Sequence, residues 1–86
     1  MFSATVTVKN RTGLHARPAS QLVQLSKKFE SRLRIINGDD EIDPKSIISL
    51  LSGGISQGAT VEISAEGPDE QDAVRDIVAL IESFTE

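Results

Sequence analysis

The chain contains one histidine, His15, which is followed after one residue by Arg17 and then by Pro18. A neutral imidazole has a ring nitrogen that can attack phosphorus. The guanidinium of Arg17 is a permanent cation whose planar donors match the geometry of phosphate. Proline fits the first turn of a helix, so we expect a helix to begin at about Ala16 and to leave unpaired N–H groups beside the imidazole. Residues 12–18 therefore predict a phosphate site built around a nucleophilic histidine.

The sequence around this site favours holding a phosphoryl group over hydrolysing it. The motif contains no second base, carboxylate or metal ligand that could direct a water molecule at the phosphorus. The Thr12 hydroxyl either forms part of the turn or orients the imidazole and contacts a phosphate oxygen. Two alternatives remain, namely a surface or capping role for His15 and a small phosphatase that uses Arg17. We expect a phosphoryl carrier whose phosphate is supported by Thr12, Ala16 and Pro18.

Length and composition limit the fold and the partners. A chain of 86 residues has enough apolar surface for one core, so we expect a single domain over residues 1–86. Nine basic and thirteen acidic residues give a net charge of −4, which argues against nucleic acid or an anionic membrane as the main partner. Without cysteine, no disulfide or thiolate metal site can form. We expect a cytoplasmic protein with no membrane insertion, no metal and no small-molecule cofactor.

Hydrophobic periodicity predicts the elements in the first half of the chain. Apolar and polar residues alternate over residues 2–9, as in a strand with one buried face. Apolar residues recur every three or four positions over residues 16–29, which predicts an amphipathic helix. Asn37 and Gly38 tolerate positive φ angles and separate two further apolar segments. These two segments should form a β-hairpin.

The second half repeats the pattern of short strand and helix. Ser46 is suited to cap a short helix over residues 47–52. A strand with one apolar face is expected over residues 60–65, and Asp69 is suited to cap a final helix over residues 70–84. The order of elements is βαββαβα. Strands and helices that each have one apolar face bury those faces best in an α+β fold, in which a four-stranded antiparallel sheet carries all three helices on one face.

The motif Thr12-Gly13-Leu14-His15-Ala16-Arg17-Pro18 resembles the active site of the HPr family, the histidine-containing phosphocarriers of the bacterial phosphoenolpyruvate-dependent sugar phosphotransferase system. Lys45-Ser46-Ile47 and residues 58–67 are also similar to that family, so the resemblance runs essentially from end to end. It implies an open-faced β-sandwich. It also implies that Nδ1 of His15 accepts a phosphoryl group from enzyme I and passes it to enzyme IIA domains, while Arg17 helps to hold it. The protein is then a transiently phosphorylated substrate of the system and not an enzyme.

The resemblance also singles out Ser46 and an apolar surface. In HPr proteins of many Gram-positive bacteria, a serine here is phosphorylated by an ATP-dependent kinase, and the added charge at a helix start alters partner binding. This implies a regulatory site at Ser46 that is served by a serine kinase and phosphorylase, whereas the plain structural alternative is a helix cap. The apolar rim expected to dock partners beside the histidine comprises Leu14, Ala16, Ile47, Ile48 and Leu51.

Four positions in this region depart from the pattern usual in the Gram-positive members. Two methionines, a glycine and a leucine of that pattern are absent, and the chain has Ile48, Ser49, Leu51 and Gly53 instead. Methionine is a flexible contact residue, so its loss changes how regulators would bind. The departures support another alternative, a regulatory paralogue that binds a transcriptional regulator or a metabolic enzyme through the same surface.

Overall fold

The computed structural model describes residues 1–85, and over these residues four strands and three helices follow one another in the order βαββαβα. No helix within residues 1–85 has the length and apolar character needed to cross a membrane. The elements are β1 (Phe2–Thr7), α1 (Ala16–Ser26), β2 (Arg32–Asn37), β3 (Asp40–Ile42), α2 (Ile47–Ser52), β4 (Thr60–Glu66) and α3 (Glu70–Ser83).

The strands form one antiparallel sheet in the spatial order β1-β4-β2-β3. Ile63 of β4 is at the centre of its apolar face, because it pairs with Ala4 on one side and with Ile35 on the other. Ile35 in turn pairs with Ile42. Successive side chains of a strand point to opposite faces, so these apolar residues share the face that the helices cover. The other face is polar, which confirms the α+β open-faced sandwich.

The core forms where the apolar stripes of the helices meet this sheet. In α1 the buried positions are Pro18, Ala19, Leu22, Val23 and Ser26, and in α3 they are Ala73, Val74, Ile77 and Ile81. Both sets follow the three- and four-residue spacing found in the sequence. Burial of these stripes supplies the main driving force for folding, because the described part of the chain contains no disulfide.

Two predicted boundaries were wrong by two or more residues. Helix α1 ends at Ser26 and not near Phe29, because the backbone N–H groups of Lys28 and Phe29 bond to carbonyls three residues back and tighten the last turn. Strand β1 ends at Thr7, although the alternation continues to Lys9. Val8 is fully buried beyond the end of the strand, where its N–H donates to the Ala59 carbonyl at 2.8 Å.

Asp69 occupies the N-cap position of α3, but the prediction that its side chain caps the helix was wrong. Its carboxylate instead accepts hydrogen bonds from the Glu30 and Ser31 N–H groups, each at 2.9 Å, and from the Ser31 hydroxyl. Lys45 Nζ donates to the carbonyls of Phe29 and Ser31 in the same segment, at 2.9 and 3.0 Å. The carboxylate of Asp69 and the ammonium group of Lys45 thus fix the connection between α1 and β2. The pKa of Asp69 is lowered, chiefly by the hydrogen bond from the Ser31 hydroxyl and then by that from the Glu30 N–H.

Candidate functional site

His15 lies at the point where the β1–α1 loop becomes helix α1. It is the N-cap residue, with φ −119° and ψ 165°, and its imidazole makes no capping hydrogen bond to the helix. The side chain is half-buried, so part of it reaches solvent. Because α1 begins at Ala16, as expected, the N–H groups of its first turn and its positive dipole end lie next to the imidazole. The site can therefore stabilise an anion attached to the ring.

The first turn of α1 carries positive and apolar groups and no carboxylate. Arg17 is exposed at its second residue, and Pro18 is buried at its third. Neither Asp nor Glu occurs in this turn, so no side chain of the turn opposes a phosphoryl group electrostatically. Proline fixes its own φ angle, which favours the helical conformation at the position where the turn enters the core.

Ala16 has a φ angle of +53°, in the left-handed region that disfavours a residue with a Cβ atom. Among non-glycine residues 1–85 it is the one with a positive φ angle. Ala16 lies directly between His15 and Arg17 in the chain. Backbone strain of this kind persists only where the surrounding contacts enforce it, and it is common at functional sites.

The loop before His15 is packed against the segment that follows α2. Gly13 has a φ angle of +63°, and a Cβ atom at this position would lie 2.4 Å from the Ile55 carbonyl oxygen and 2.8 Å from Ser56 Cα. The N–H of Leu14 donates to the same Ile55 carbonyl at 3.1 Å. Only glycine permits this close approach of two backbones. The loop is therefore held by contacts with a distant part of the chain.

The expectation that Leu14 contributes to an exposed docking rim was wrong. Its side chain is fully buried and belongs to the hydrophobic core. Leu14 anchors the loop in the core, while His15 is half-buried and Ala16 is exposed. Thr12 is exposed, and its hydroxyl oxygen accepts a long hydrogen bond of 3.4 Å from Nδ2 of Asn10. Asn10 itself is buried and was missed in the sequence, where a lone asparagine in a loop resembles an ordinary turn residue.

Helix α2 presents apolar side chains to solvent. The exposed fractions are 39% for Ile47, 74% for Ile48 and 45% for Leu51, whereas Leu50 is fully buried. Adjacent exposed apolar residues of this size are typical of contact surfaces for other proteins. Helices α1 and α2 pack against each other, so this apolar surface belongs to the helical layer that carries His15.

The glycine at position 53 also has a structural reason. A Cβ atom there would lie 2.5 Å from Cδ1 of Ile42. The isoleucine of β3 therefore fills the space that a larger residue at position 53 would require. The change from the usual family pattern at this position removes side-chain surface from the end of α2.

Ser46 is the N-cap of α2. Its hydroxyl oxygen accepts a hydrogen bond from the Ser49 N–H at 3.2 Å, and its own N–H donates to the Asp43 carbonyl at 3.0 Å. The side chain is half-buried. The predicted N-cap is thus confirmed, and the regulatory role stays a prediction.

The phosphate motif lies on a surface loop, where Thr12, Ala16 and Arg17 are exposed. A pocket of about 510 Å³ lies elsewhere, between β2 and the segment before α2, and residues 12–18 do not line it. Within the described part of the chain, no three His, Cys, Asp or Glu side chains are grouped so that they could hold a metal ion. The site is thus accessible to the surface of another protein.

The open four-stranded sheet and the half-exposed histidine at a helix N-terminus agree with the arrangement expected from the resemblance to small histidine phosphocarriers. The family model described as "PTS HPr component phosphorylation site" matches residues 2–83, and the chain belongs to this HPr family of the phosphotransferase system. It is 41% identical over 81 residues to the phosphocarrier protein HPr of Haemophilus influenzae, covering 94% of this chain and 95% of the relative.

Two further relatives support the same assignment. The HPr-like protein Crh of Halalkalibacterium halodurans is 40% identical over 82 residues, covering 95% of this chain and 98% of the relative. The crystal structure of HPr from Thermoanaerobacter tengcongensis superimposes with a TM-score of 0.93 at 46% identity, covering 96% of this chain and 93% of the other. The fold and the family expected from the sequence are thereby confirmed.

Proposed function

We propose that His15 accepts a phosphoryl group from enzyme I and donates it to enzyme IIA domains during sugar uptake. The observation that carries this proposal is the half-exposed imidazole at the N-cap of α1, beside the exposed Arg17 in the first turn of that helix. Nδ1 of His15 forms a bond to phosphorus while the bond from phosphorus to the enzyme I histidine breaks, and the other ring nitrogen keeps its proton. Transfer to enzyme IIA repeats this exchange in the next step.

The first turn of α1, including Arg17, supports retention of the phosphoryl group on His15. The dipole and N–H groups of α1 stabilise the added negative charge, as does the guanidinium of Arg17. The first turn of α1 offers no carboxylate that could activate water. Such a carrier keeps the phosphoryl group until a partner binds and does not hydrolyse the bond. With these partners, we propose that it acts in the cytoplasm.

Docking of both partners is proposed to use the exposed apolar residues of α2 together with the exposed Ala16. Ile47, Ile48 and Leu51 provide a surface that loses water on contact. We expect Ile48→Asp to leave the fold intact, because the side chain is 74% exposed, and to raise the KM for phosphorylation by enzyme I. Glu82→Gln, an exposed substitution on α3, is the control that should change neither.

The deciding experiment measures the intact mass after incubation with enzyme I, magnesium and phosphoenolpyruvate. We expect one acid-labile phosphoryl group on the natural chain, none on His15→Ala and slower labelling of Arg17→Ala. The absence of label on a folded natural chain would contradict the proposal. Multiple turnover of a free acyl phosphate would instead identify a phosphatase.

We also propose that Ser46 is phosphorylated by an ATP-dependent serine kinase and restored by a phosphorylase. A dianion at this position would lie next to the exposed Ile47 and would weaken apolar docking. Serine phosphate is stable in acid, unlike phosphohistidine, so acid treatment distinguishes the two modifications by mass. Incubation with kinase and ATP should label the natural chain and not Ser46→Ala, and labelling of both would contradict the assignment.

A regulatory paralogue is the second candidate. It is favoured by the residues at 48, 49, 51 and 53 and by the 40% identity to a protein named HPr-like protein Crh. In that case the α2 surface would bind a transcriptional regulator or a metabolic enzyme. Restoration of sugar uptake in a strain that lacks its own carrier would exclude this candidate as the main function.

A further inference from the structure

Asn10 is a polar residue buried at the base of the histidine loop. Only 4% of it is exposed, although it lies between the end of β1 and the exposed Arg11 and Thr12. Its Nδ2 donates to the carbonyl oxygen of Gly13 at 2.8 Å and to Oγ1 of Thr12 at 3.4 Å. The backbone carbonyl of Asn10 accepts a hydrogen bond from the N–H of Gly13 at 3.1 Å. A buried side-chain amide therefore closes the turn that precedes the site.

The Gly13 carbonyl and the Leu14 N–H belong to the same peptide unit, and this unit is held at both ends. Its oxygen accepts the hydrogen bond from Asn10, while its N–H donates to the Ile55 carbonyl at 3.1 Å. The orientation of a planar peptide unit is fixed when both of its polar groups are bonded. Leu14 is fully buried immediately afterwards, so the chain enters His15 along one defined path.

We infer that Asn10 is a positioning residue for phosphoryl transfer at His15, and that it acts by fixing the peptide unit between Gly13 and Leu14. Only an amide or a similar donor serves here, because a carboxylate of the same shape has no hydrogen to donate when ionised. Without the donor, the peptide unit between Gly13 and Leu14 can rotate, one residue before His15. The imidazole is then displaced from the N–H groups that open α1, and small displacements of a reacting group lower the rate of transfer strongly. This inference rests on the proposed function of His15.

The experiment compares the natural chain with Asn10→Ala and Asn10→Asp in two assays. The first is phosphorylation by enzyme I, with kcat and KM measured separately. The second uses phosphoramidate, a small donor from which the His15 nitrogen displaces ammonia, and it follows the lifetime of the phosphohistidine by intact mass. Asn10→Ser keeps a polar group at the buried position and replaces Asn10→Ala if that variant does not fold. Val74→Ala, a buried substitution in α3, is the matched control for lowered stability.

We expect kcat to fall on the order of tenfold in Asn10→Ala with KM nearly unchanged, because the docking surface of α2 is intact. The phosphohistidine should also hydrolyse several-fold faster, and Asn10→Asp should be at least as impaired. Val74→Ala should lose stability and keep both kinetic constants. A residue with only a structural role would behave like Val74.

Each outcome separates this inference from the proposed function. If enzyme I labels Asn10→Ala and the natural chain with the same kcat, and the two phosphohistidines last equally long, the positioning role is wrong and the carrier function stands. If enzyme I labels neither but phosphoramidate reveals the faster hydrolysis, the positioning role stands and the proposed donor is wrong. Failure of both enzyme I and phosphoramidate to modify His15 in the folded natural chain would overturn both.

Discussion

Replacing Gly13 by alanine tests whether the histidine loop is held by the close approach of two backbones. The substitution has two costs, the positive φ angle of +63° and the contact of the new Cβ with the Ile55 carbonyl. Gly38→Ala is a matched control, because Gly38 has a φ angle of +64° and no atom within 4 Å of an added Cβ. The difference between the two variants isolates the cost of the contact.

The φ angle alone costs an alanine roughly 1–2 kcal/mol, partly offset by about 0.4–1 kcal/mol from its smaller freedom in the unfolded chain. Gly38→Ala should therefore lose about 1 kcal/mol of unfolding free energy. In Gly13→Ala, the Cβ would also lie 2.4 Å from a backbone oxygen that cannot rotate away, which adds roughly 1–3 kcal/mol. We expect a total loss of about 2–4 kcal/mol.

Urea unfolding followed by far-ultraviolet circular dichroism is the appropriate assay, since the chain has neither tryptophan nor tyrosine. Thermal unfolding should agree, with about 4–8 °C of Tm for each kcal/mol in a domain of this size. Gly13→Ala should also accept phosphoryl groups more slowly than Gly38→Ala. Equal destabilisation of the two variants would refute the reasoning, because it would mean that the contact with Ile55 gives way without cost.

Three other substitutions probe separate features. Ala16→Gly should raise the unfolding free energy by up to about 1 kcal/mol in urea titrations, because glycine accepts the φ angle of +53°; a loss would show that this backbone is not strained. Because the pKa of Asp69 is lowered below its ordinary 3.8, its contribution to stability is complete above that pH and is lost as pH falls through the folded-state pKa. The stability gap between the natural chain and Asp69→Asn should thus be largest near pH 7 and shrink in acid, and a constant gap would contradict this. Ser26→Ala should be neutral or stabilising by up to about 1 kcal/mol in thermal unfolding, because the buried Ser26 hydroxyl has no hydrogen-bond partner among residues 1–85.

Periodicity predicted the elements well because burial on one face governs both strands and helices. The alternation around Val6 and the stripe through Leu22 each correspond to one buried face in the structure. Boundaries were predicted less well, since they depend on local hydrogen bonds. The end of α1 is set by bonds from Lys28 and Phe29 to carbonyls three residues back, which leave no trace in the apolar pattern.

The site residues divide in the same way. His15 and Arg17 could be singled out because the types of residue and their spacing indicate chemistry. The position of the Leu14 side chain could not be predicted, since an apolar residue in a loop can face either solvent or the core. In the structure it is buried in the core. Asn10 bonds within its own turn, but its burial follows from the packing of the whole fold. The carboxylate of Asp69 binds Glu30 and Ser31, which only the tertiary structure brings close to it.

The bonds that hold the site loop also bear on the order of folding. Val8 exchanges backbone hydrogen bonds with Gly58 and Ala59, and Leu14 is bonded to Ile55. The phosphate motif is contiguous in sequence, yet it depends on residues that a ribosome would add much later. Non-local contacts of this kind form late and slowly in folding. A growing chain that has just exposed His15 would consequently be a poor phosphoacceptor, and competence would appear together with cooperative folding of the whole sheet.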